Sequence, residues 1–173
     1  NFGIIKKYAD DLGIEFFSTA FDLESVSYLE SINVGLYKVA SFDIANYKLL
    51  NSIADTRKPI IFSTGMATEQ EIKSAYNIFC GKSKHIGILH CVSSYPTEPA
   101  DAHLSNIFDL QANYDCSIGQ SDHTNSIDVP LYAVCAGASI VEKHFKISDS
   151  HKCIDSSVSI TEKQMSQLVT TIR

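Results

Sequence analysis

Short apolar runs alternate with longer helix-like segments along the whole chain, and this alternation constrains the fold more than any other feature. Each short run is rich in β-branched or aromatic residues, and the segment after it carries apolar residues at helical spacing. The runs predicted as strands are 14–19 (IEFFST), 36–41 (LYKVAS), 59–64 (PIIFST), 85–93 (HIGILHCVS), 116–121 (CSIGQS) and 139–145 (SIVEKHF). With the helical segments that follow, they make about six βα units, which predicts a parallel sheet covered by helices.

Polar residues at the ends of the predicted strands decide between the two architectures that fit this pattern, an open doubly wound sheet and a (β/α)8 barrel. No GxGxxG follows the first strand, so the dinucleotide-binding signature of the open sheet is absent. Barrels draw functional residues from the carboxyl ends of many strands, whereas open sheets concentrate them at one switch point. Here every strand contributes: Ser18, Thr19, Lys38, Ser41, Ser63, Thr64, His90, Ser93, Ser121, His123 and His144. We therefore predict a (β/α)8 TIM barrel, of which this chain covers about six units.

Composition narrows the classes of partner. With 173 residues, 45% of them hydrophobic, the chain is long enough for one buried core and is expected to be one domain, residues 1–173. A net charge of -6 without any run of Lys or Arg argues against nucleic acid and anionic membranes as partners. The first residues lack the pattern of a signal peptide, so a cytoplasmic protein is expected. The five cysteines include no CxxC pair, which argues against a disulfide framework or a cysteine zinc site.

One lysine and several hydroxyl side chains at strand ends suit the binding of a phosphate group. Directed O–H donors and a compact positive charge are what such an anion requires. The set is Thr19, Lys38, Ser41, Ser63 and Ser121. Serine and threonine at strand ends also form turns and helix caps, so this alternative stays open for each hydroxyl.

Two histidines close consecutive predicted strands. His123 and His144 are therefore expected to lie near each other on one face, within reach of a single divalent metal. Two ligands leave positions open for water and substrate, as in a catalytic site. The alternative is that each is a half-buried, hydrogen-bonded histidine.

The ordered motifs FFSTAFD, YKVASFD, PIIFSTGMAT, HCVSSYPTEP, GQSDHT, IVEKHF and IDSSVSI resemble those of the sialic acid synthase (NeuB) family. This family includes synthases of N-acetylneuraminate, legionaminate and pseudaminate and the spore-coat polysaccharide protein SpsE. The resemblance covers essentially the whole chain. It implies a (β/α)8 barrel that condenses phosphoenolpyruvate with an N-acetylated amino sugar such as N-acetylmannosamine, releases phosphate and uses Mn²⁺ or Mg²⁺.

The resemblance also implies roles for individual residues. Phosphoenolpyruvate-binding positions of the family fall on Thr19, Lys38, Ser41, Ser63, Ser93 and Ser121. The metal ligands fall on His123 and His144, and the sugar-contacting positions on Asp43, Tyr95 and Asp155. Lys38 and Asp155 are also expected to act in catalysis, although a loop carboxylate such as Asp155 can simply cap a turn. Many members have Glu, Asn and Leu where this chain has Asp43, Ser93 and Gln120.

Further expectations follow from the family's organisation. Two barrel strands and a small C-terminal antifreeze-like domain of the family have no counterpart in residues 1–173, so this stretch alone is expected to be inactive and prone to associate. The full-length form is expected to be a homodimer. Two other functions remain as alternatives: a barrel aldolase acting on a phosphosugar through a Schiff base on Lys38, and a non-catalytic carbohydrate-binding or assembly domain.

Overall fold

The computed structural model describes residues 2–173, in which helices and strands alternate. The helices are α1 (Phe2–Asp11), α2 (Leu23–Ser31), α3 (Tyr47–Asp55), α4 (Glu69–Phe79), α5 (Asn106–Asn113), α6 (Asp128–Cys135) and α7 (Glu162–Ile172). The strands are β1 (Tyr37–Val39), β2 (Ile60–Ser63), β3 (Ile86–Cys91), β4 (Ser117–Asp122) and β5 (Ile140–Lys143).

The strands follow one another in the sheet in the same order as in the chain, β1-β2-β3-β4-β5. The pairs β1–β2, β3–β4 and β4–β5 are parallel, and a helix separates each strand from the next. Successive parallel strands joined by helices are the topology of consecutive βα units. The chain is therefore part of a (β/α)8 barrel, as the sequence predicts.

The predicted strand 14–19 is wrong. Only Thr19 forms a bridge, a parallel one to Lys38, and the residues before it make no ladder within the part of the chain that the structure describes. A strand needs a series of paired residues. Because β1 is only three residues long, one bridge forms where the apolar pattern of IEFFST predicts a strand.

The described residues pack into two compact units. The first comprises the residues up to Phe62 together with Ala67–Ile86. Its core is built on α3, in which Leu49, Leu50 and Ile53 are fully buried at helical spacing. The ring of Phe62 in β2 packs at 5.8 Å from that of Phe79 in α4, and this contact joins strand and helix.

The second unit comprises Ser63–Met66 and Gly87–Arg173. Its core takes apolar residues of β3 and β4 together with apolar side chains of the helices and of the segment before α7. The buried apolar residues of this core include Ile88, Leu89, Ile107, Ile118, Val129, Ala133, Val158, Ile160 and Leu168. The carboxyl ends of β3, β4 and β5 all belong to this unit, so one packed body supports the loops that follow them.

Two helices begin at capping boxes, for which the sequence has a Thr followed three residues later by Glu or Gln. Thr68 accepts from the backbone N–H of Glu71 at the start of α4, and the carboxylate of Glu71 accepts from the N–H of Thr68. Thr161 and Gln164 form the same reciprocal pair at the start of α7. These bonds satisfy N–H groups that have no partner inside a helix. None of the helices in residues 2–173 is both long and apolar enough to span a membrane.

Candidate active site at the ends of three strands

The pairing of β4 with β5 places two histidines side by side. The register runs from Gly119 opposite Ile140 to Asp122 opposite Lys143, and His123 and His144 are the next residue on each strand. Their ring centroids are 5.4 Å apart at an interplanar angle of 61°. The structure therefore brings together the two residues that the sequence predicts as metal ligands.

Hydrogen bonds hold the ring of His123 at both nitrogens. Nδ1 lies 2.8 Å from the carbonyl oxygen of Val92, and Nε2 lies 2.8 Å from the hydroxyl of Tyr95. A carbonyl only accepts, so Nδ1 carries the proton and the Tyr95 hydroxyl donates to the Nε2 lone pair. The rings of Tyr95 and His123 also contact each other, with centroids 4.0 Å apart. His123 is thus in the tautomer whose Nε2 carries a lone pair, which can accept a hydrogen bond or bind a metal ion.

His144 faces a carboxylate and the edge of the same tyrosine. Its Nδ1 lies 3.7 Å from Oδ2 of Asp155, and its ring meets that of Tyr95 almost perpendicularly at 5.7 Å. His123, His144, Tyr95 and Asp155 therefore form one group in the second unit, which we call the histidine cluster. All four are residues predicted from the sequence to belong to the site.

The surroundings shift the pKa values of the histidine cluster in different directions. Burial lowers the pKa of His123, but hydrogen bonds to Cys91 and Val92 and nearby negative charge outweigh it, so the pKa is raised. Burial and then the neighbouring His123 lower the pKa of His144. Burial, with nearby negative groups, raises the pKa of Tyr95, which keeps its hydroxyl protonated and able to donate.

The predicted phosphate-binding residues divide between the two units. In the first unit, Thr19 pairs with Lys38 through their backbones, and Lys38 is buried in the middle of β1. Ser41 and Asp43 lie in a short 3-10 turn just after this strand, Ser41–Asp43. Asp43 is buried, and within residues 2–173 its Oδ2 has no hydrogen-bond partner. The backbone thus gathers this part of the set around one strand end.

The other hydroxyls of the set belong to the second unit. Ser63 is the last residue of β2 and is buried, and Ser93 follows β3 by two residues. Ser121 in β4 donates its hydroxyl hydrogen to Oε1 of Glu142 in β5 at 2.6 Å. The Ser121 hydroxyl is therefore already engaged with a carboxylate, which an anionic ligand would have to replace.

The histidine cluster fits a divalent metal as an open site. Within the described residues, no three His, Cys, Asp or Glu side chains are grouped closely enough to hold a metal ion. Two neutral imidazoles and open positions are nevertheless a donor set that first-row divalent ions accept. The Val92 carbonyl on Nδ1 of His123 is the type of outer partner that orients a metal-ligating imidazole.

Several polar residues of this region escape the sequence analysis. Glu142, Cys91, Asp122 and Lys143 lie in the strands that carry the site, and Asp122 and Lys143 form a buried ion pair at 2.5 Å. The sequence signal that could have identified Asp122, Glu142 and Lys143 is the alternation within SDH and EKH, because neighbouring residues of a strand lie on opposite faces of the sheet. His90, one of the polar residues at the predicted strand ends, is buried, and its Nε2 lies 2.7 Å from the carbonyl oxygen of Ala102.

Fold and site together define a barrel protein with a histidine pair at the ends of two neighbouring strands. The sequence profile of the NeuB family matches residues 2–173, and the chain belongs to this family. It is 37% identical over 169 residues to an N,N'-diacetyllegionaminic acid synthase of Campylobacter jejuni, a match that covers 96% of this chain and 51% of that protein. The chain spans about half the length of the curated relatives it matches.

Two solved structures are similar over almost the whole chain. The N-acetylneuraminic acid (sialic acid) synthetase of Leptospira borgpetersenii superposes with a TM-score of 0.96 at 41% identity, covering 99% of this chain and 60% of that one. The spore coat polysaccharide biosynthesis protein spsE of Bacillus subtilis gives a TM-score of 0.94 at 32% identity, covering 98% and 48%. Both scores show that the two proteins share the fold of this chain over almost its whole length.

Proposed function

We propose that this chain is the catalytic barrel region of a nonulosonate synthase. The reaction joins phosphoenolpyruvate to an N-acetylated amino sugar and releases inorganic phosphate. Membership of a family whose relatives are named as legionaminic, pseudaminic and N-acetylneuraminate-9-phosphate synthases supports this class of reaction. The observation in the structure that carries the proposal is the histidine cluster at the carboxyl ends of β4 and β5.

In this proposal His123 and His144 hold a divalent cation, Mn²⁺ or Mg²⁺. When bound, the cation supplies Lewis-acid polarisation of the sugar carbonyl. His123 would use Nε2, since its Nδ1 proton is committed to Val92. The Tyr95 hydroxyl, which occupies that lone pair in the structure, would then turn towards the sugar. A tyrosine with a raised pKa stays protonated in neutral solution and can donate a hydrogen bond to a sugar oxygen.

The remaining residues bind and orient the two substrates. Lys38 and the hydroxyls of Thr19, Ser41, Ser63 and Ser93 would neutralise and fix the phosphate and carboxylate of phosphoenolpyruvate. Ser121 would join them by giving up its hydrogen bond to Glu142 and donating its hydroxyl hydrogen to the substrate anion instead. Holding two reactants in a reactive geometry is itself a large part of such catalysis.

The acidic residues are assigned to the sugar. In the structure Asp155 lies beside His144, so its carboxylate can accept a sugar hydroxyl next to the cation. Asp43 has a buried oxygen without a partner in residues 2–173, and a sugar hydroxyl would satisfy it.

Phosphate release tests the proposal. The full-length protein is incubated with phosphoenolpyruvate and each of a panel of N-acetylated amino sugars, with and without Mn²⁺, beside the double variant His123→Ala/His144→Ala. We expect metal-dependent release with one sugar and a loss of at least about a hundredfold in the variant, as expected when a metal site is removed.

His85→Ala is the matched control, because His85 is exposed and has no role in the site. It should retain the wild-type rate. A folded, Mn²⁺-loaded protein that releases no phosphate with any sugar would contradict the proposed reaction and favour the binding-domain alternative. Trapping of a substrate adduct on Lys38 by borohydride would instead favour the aldolase.

A further inference from the structure

A buried ion pair lies directly behind the two histidines. Asp122 and Lys143 are paired in the register of β4 and β5, and each precedes one histidine of the cluster. Because successive side chains of a strand alternate between faces, this pair lies on the face opposite to His123 and His144. Each side chain is only 2% exposed. The reaction proposed above assigns no task to either residue.

Hydrogen bonds satisfy this pair on several sides. Lys143 Nζ lies 2.5 Å from Oδ2 of Asp122, and the same oxygen accepts from the Thr124 hydroxyl at 2.9 Å. The Thr124 N–H, at 3.3 Å, and the side-chain amide of Gln120, at 3.4 Å, donate to Oδ1. Lys143 also donates to the carbonyl oxygen of Thr124. The cation therefore holds the residues immediately before and after His123.

Stability alone does not account for such an arrangement. Two charges lose their hydration on burial, so a buried ion pair is often no more stabilising than apolar side chains of similar volume. What an ion pair adds is direction, since it satisfies its hydrogen bonds in one arrangement only. The directed link here is between the end of β4 and the end of β5, the two points from which the histidines project.

The backbone bonds of the histidines do not make this link. The carbonyl of His123 accepts from the N–H of Thr97, and that of His144 accepts from the N–H of Ile160. Each of these bonds ties one histidine to a different loop. The ion pair instead ties the two strand ends to each other.

We propose that Asp122 and Lys143 are positioning residues that hold the rings of His123 and His144 in a single relative orientation. The ion pair acts through the backbone, by fixing the segment 122–124 against the end of β5. The inference rests on the proposed function where it concerns a shared cation. Its effect on the rings themselves can be measured without any activity.

The test removes the charges while preserving volume and fold. In the full-length protein, the variant Asp122→Val/Lys143→Met is labelled with ¹⁵N-histidine, and the imidazole signals of His123 and His144 are compared with wild type. We expect the wild type to show one signal set with His123 protonated at Nδ1, and the variant to show shifted or multiple sets. Mn²⁺ affinity, from the electron paramagnetic resonance of the free ion, should fall ten- to a hundredfold, the usual effect of losing an outer-shell support.

A matched control separates this effect from the loss of any ion pair. The exposed pair Asp55 and Lys82, at 2.7 Å, is changed in the same way to Asp55→Val/Lys82→Met and should leave the imidazole signals unchanged. If the buried double variant does not fold, the variant Asp122→Asn, which keeps the size of the side chain, is tested instead by the same imidazole signals of His123 and His144.

Each result has one meaning. Imidazole signals and Mn²⁺ affinity like those of wild type in a folded variant would overturn the inference, because the pair would then be merely structural. Altered imidazole signals in a protein whose wild type fails to bind Mn²⁺ would support the positioning role and count against the proposed metal.

Discussion

Gly119, in the middle of β4, has no room for a side chain, and Gly119→Ala is therefore the sharpest test of how β4 and β5 pack. A Cβ placed there would meet the backbone carbonyl oxygen of Ile140 and would lie 2.7 Å from both Ile140 Cβ and Leu89 Cδ2. Ile140 and Leu89 are the residues paired with Gly119 on its two neighbouring strands. The methyl group would therefore press on both neighbours at once.

The expected cost follows from these contacts. Rotation of a side chain can relieve the clash with Leu89, but the carbonyl of Ile140 belongs to the backbone of β5 and moves only if the strand moves. Inserting a methyl group into a well-packed core costs about 1–3 kcal/mol. Alanine also lowers the conformational entropy of the unfolded chain relative to glycine, which offsets about 0.4–1 kcal/mol of this cost. We expect the free energy of unfolding to fall by about 1–2 kcal/mol.

Urea denaturation of the full-length protein, followed by circular dichroism, measures this change. Ser117→Ala is the control, because Ser117 is exposed at the start of the same strand and its replacement should cost less than about 0.5 kcal/mol. A Gly119→Ala protein within about 0.5 kcal/mol of wild type, at an unchanged slope in urea, would refute the packing argument. Since Gly119 lies four residues before His123, we also expect phosphate release to be slowed more than stability alone explains.

Three further changes test other parts of the structure. Tyr37→Phe removes a buried hydroxyl that donates to Glu30 at 2.9 Å, and we expect urea denaturation to show a loss of about 1.5 kcal/mol. Thr68→Ala removes the cap of α4 and should cost about 1 kcal/mol in the same assay. Burial lowers the pKa of His90 despite its bond to Ala102, so its neutral form is favoured in the folded state. That stabilisation is complete above the ordinary pKa of about 6.5 and is lost as pH falls through the lower folded value.

Each of these changes has a control. Tyr132→Phe, at an exposed tyrosine, should be neutral, and a Tyr37→Phe protein as stable as wild type would contradict the role of the hydroxyl. Thr68→Ser keeps the capping oxygen and should restore most of the loss. His90→Gln should flatten the fall of unfolding free energy between pH 7 and pH 5, and an unchanged slope would show that another group causes it.

The fold was predictable from local sequence because its units are local. The capping boxes at Thr68 and Thr161 and the apolar runs of β1 to β5 depend on residues near one another in the chain. The prediction of a strand at 14–19 was wrong because an apolar pattern does not supply the partner that a strand needs along its length, and Ile14 and Phe17 are exposed in the structure. The division into two packed units depends on distant contacts, which no local pattern contains.

The site was predictable to the extent that it follows strand ends. His123 and His144 came from the rule that parallel strands end at one edge, and Tyr95 and Asp155 came from the resemblance. The bond between Ser121 and Glu142 was not predictable, because it depends on which residues of β4 and β5 face each other. Register is set by the packing of the whole sheet rather than by either strand alone.

The alternation of residues at the ends of β4 and β5 limits how this region can evolve. In both SDH and EKH, a residue of the buried ion pair is followed at once by a histidine of the cluster. A substitution replaces a side chain on one face without changing which residues occupy the other face. Inserting or deleting a single residue in either strand would exchange the faces, so that a lysine or aspartate would stand where an imidazole belongs. We expect lineages of this protein to vary freely in the length of their loops and to keep the length of these two strands fixed.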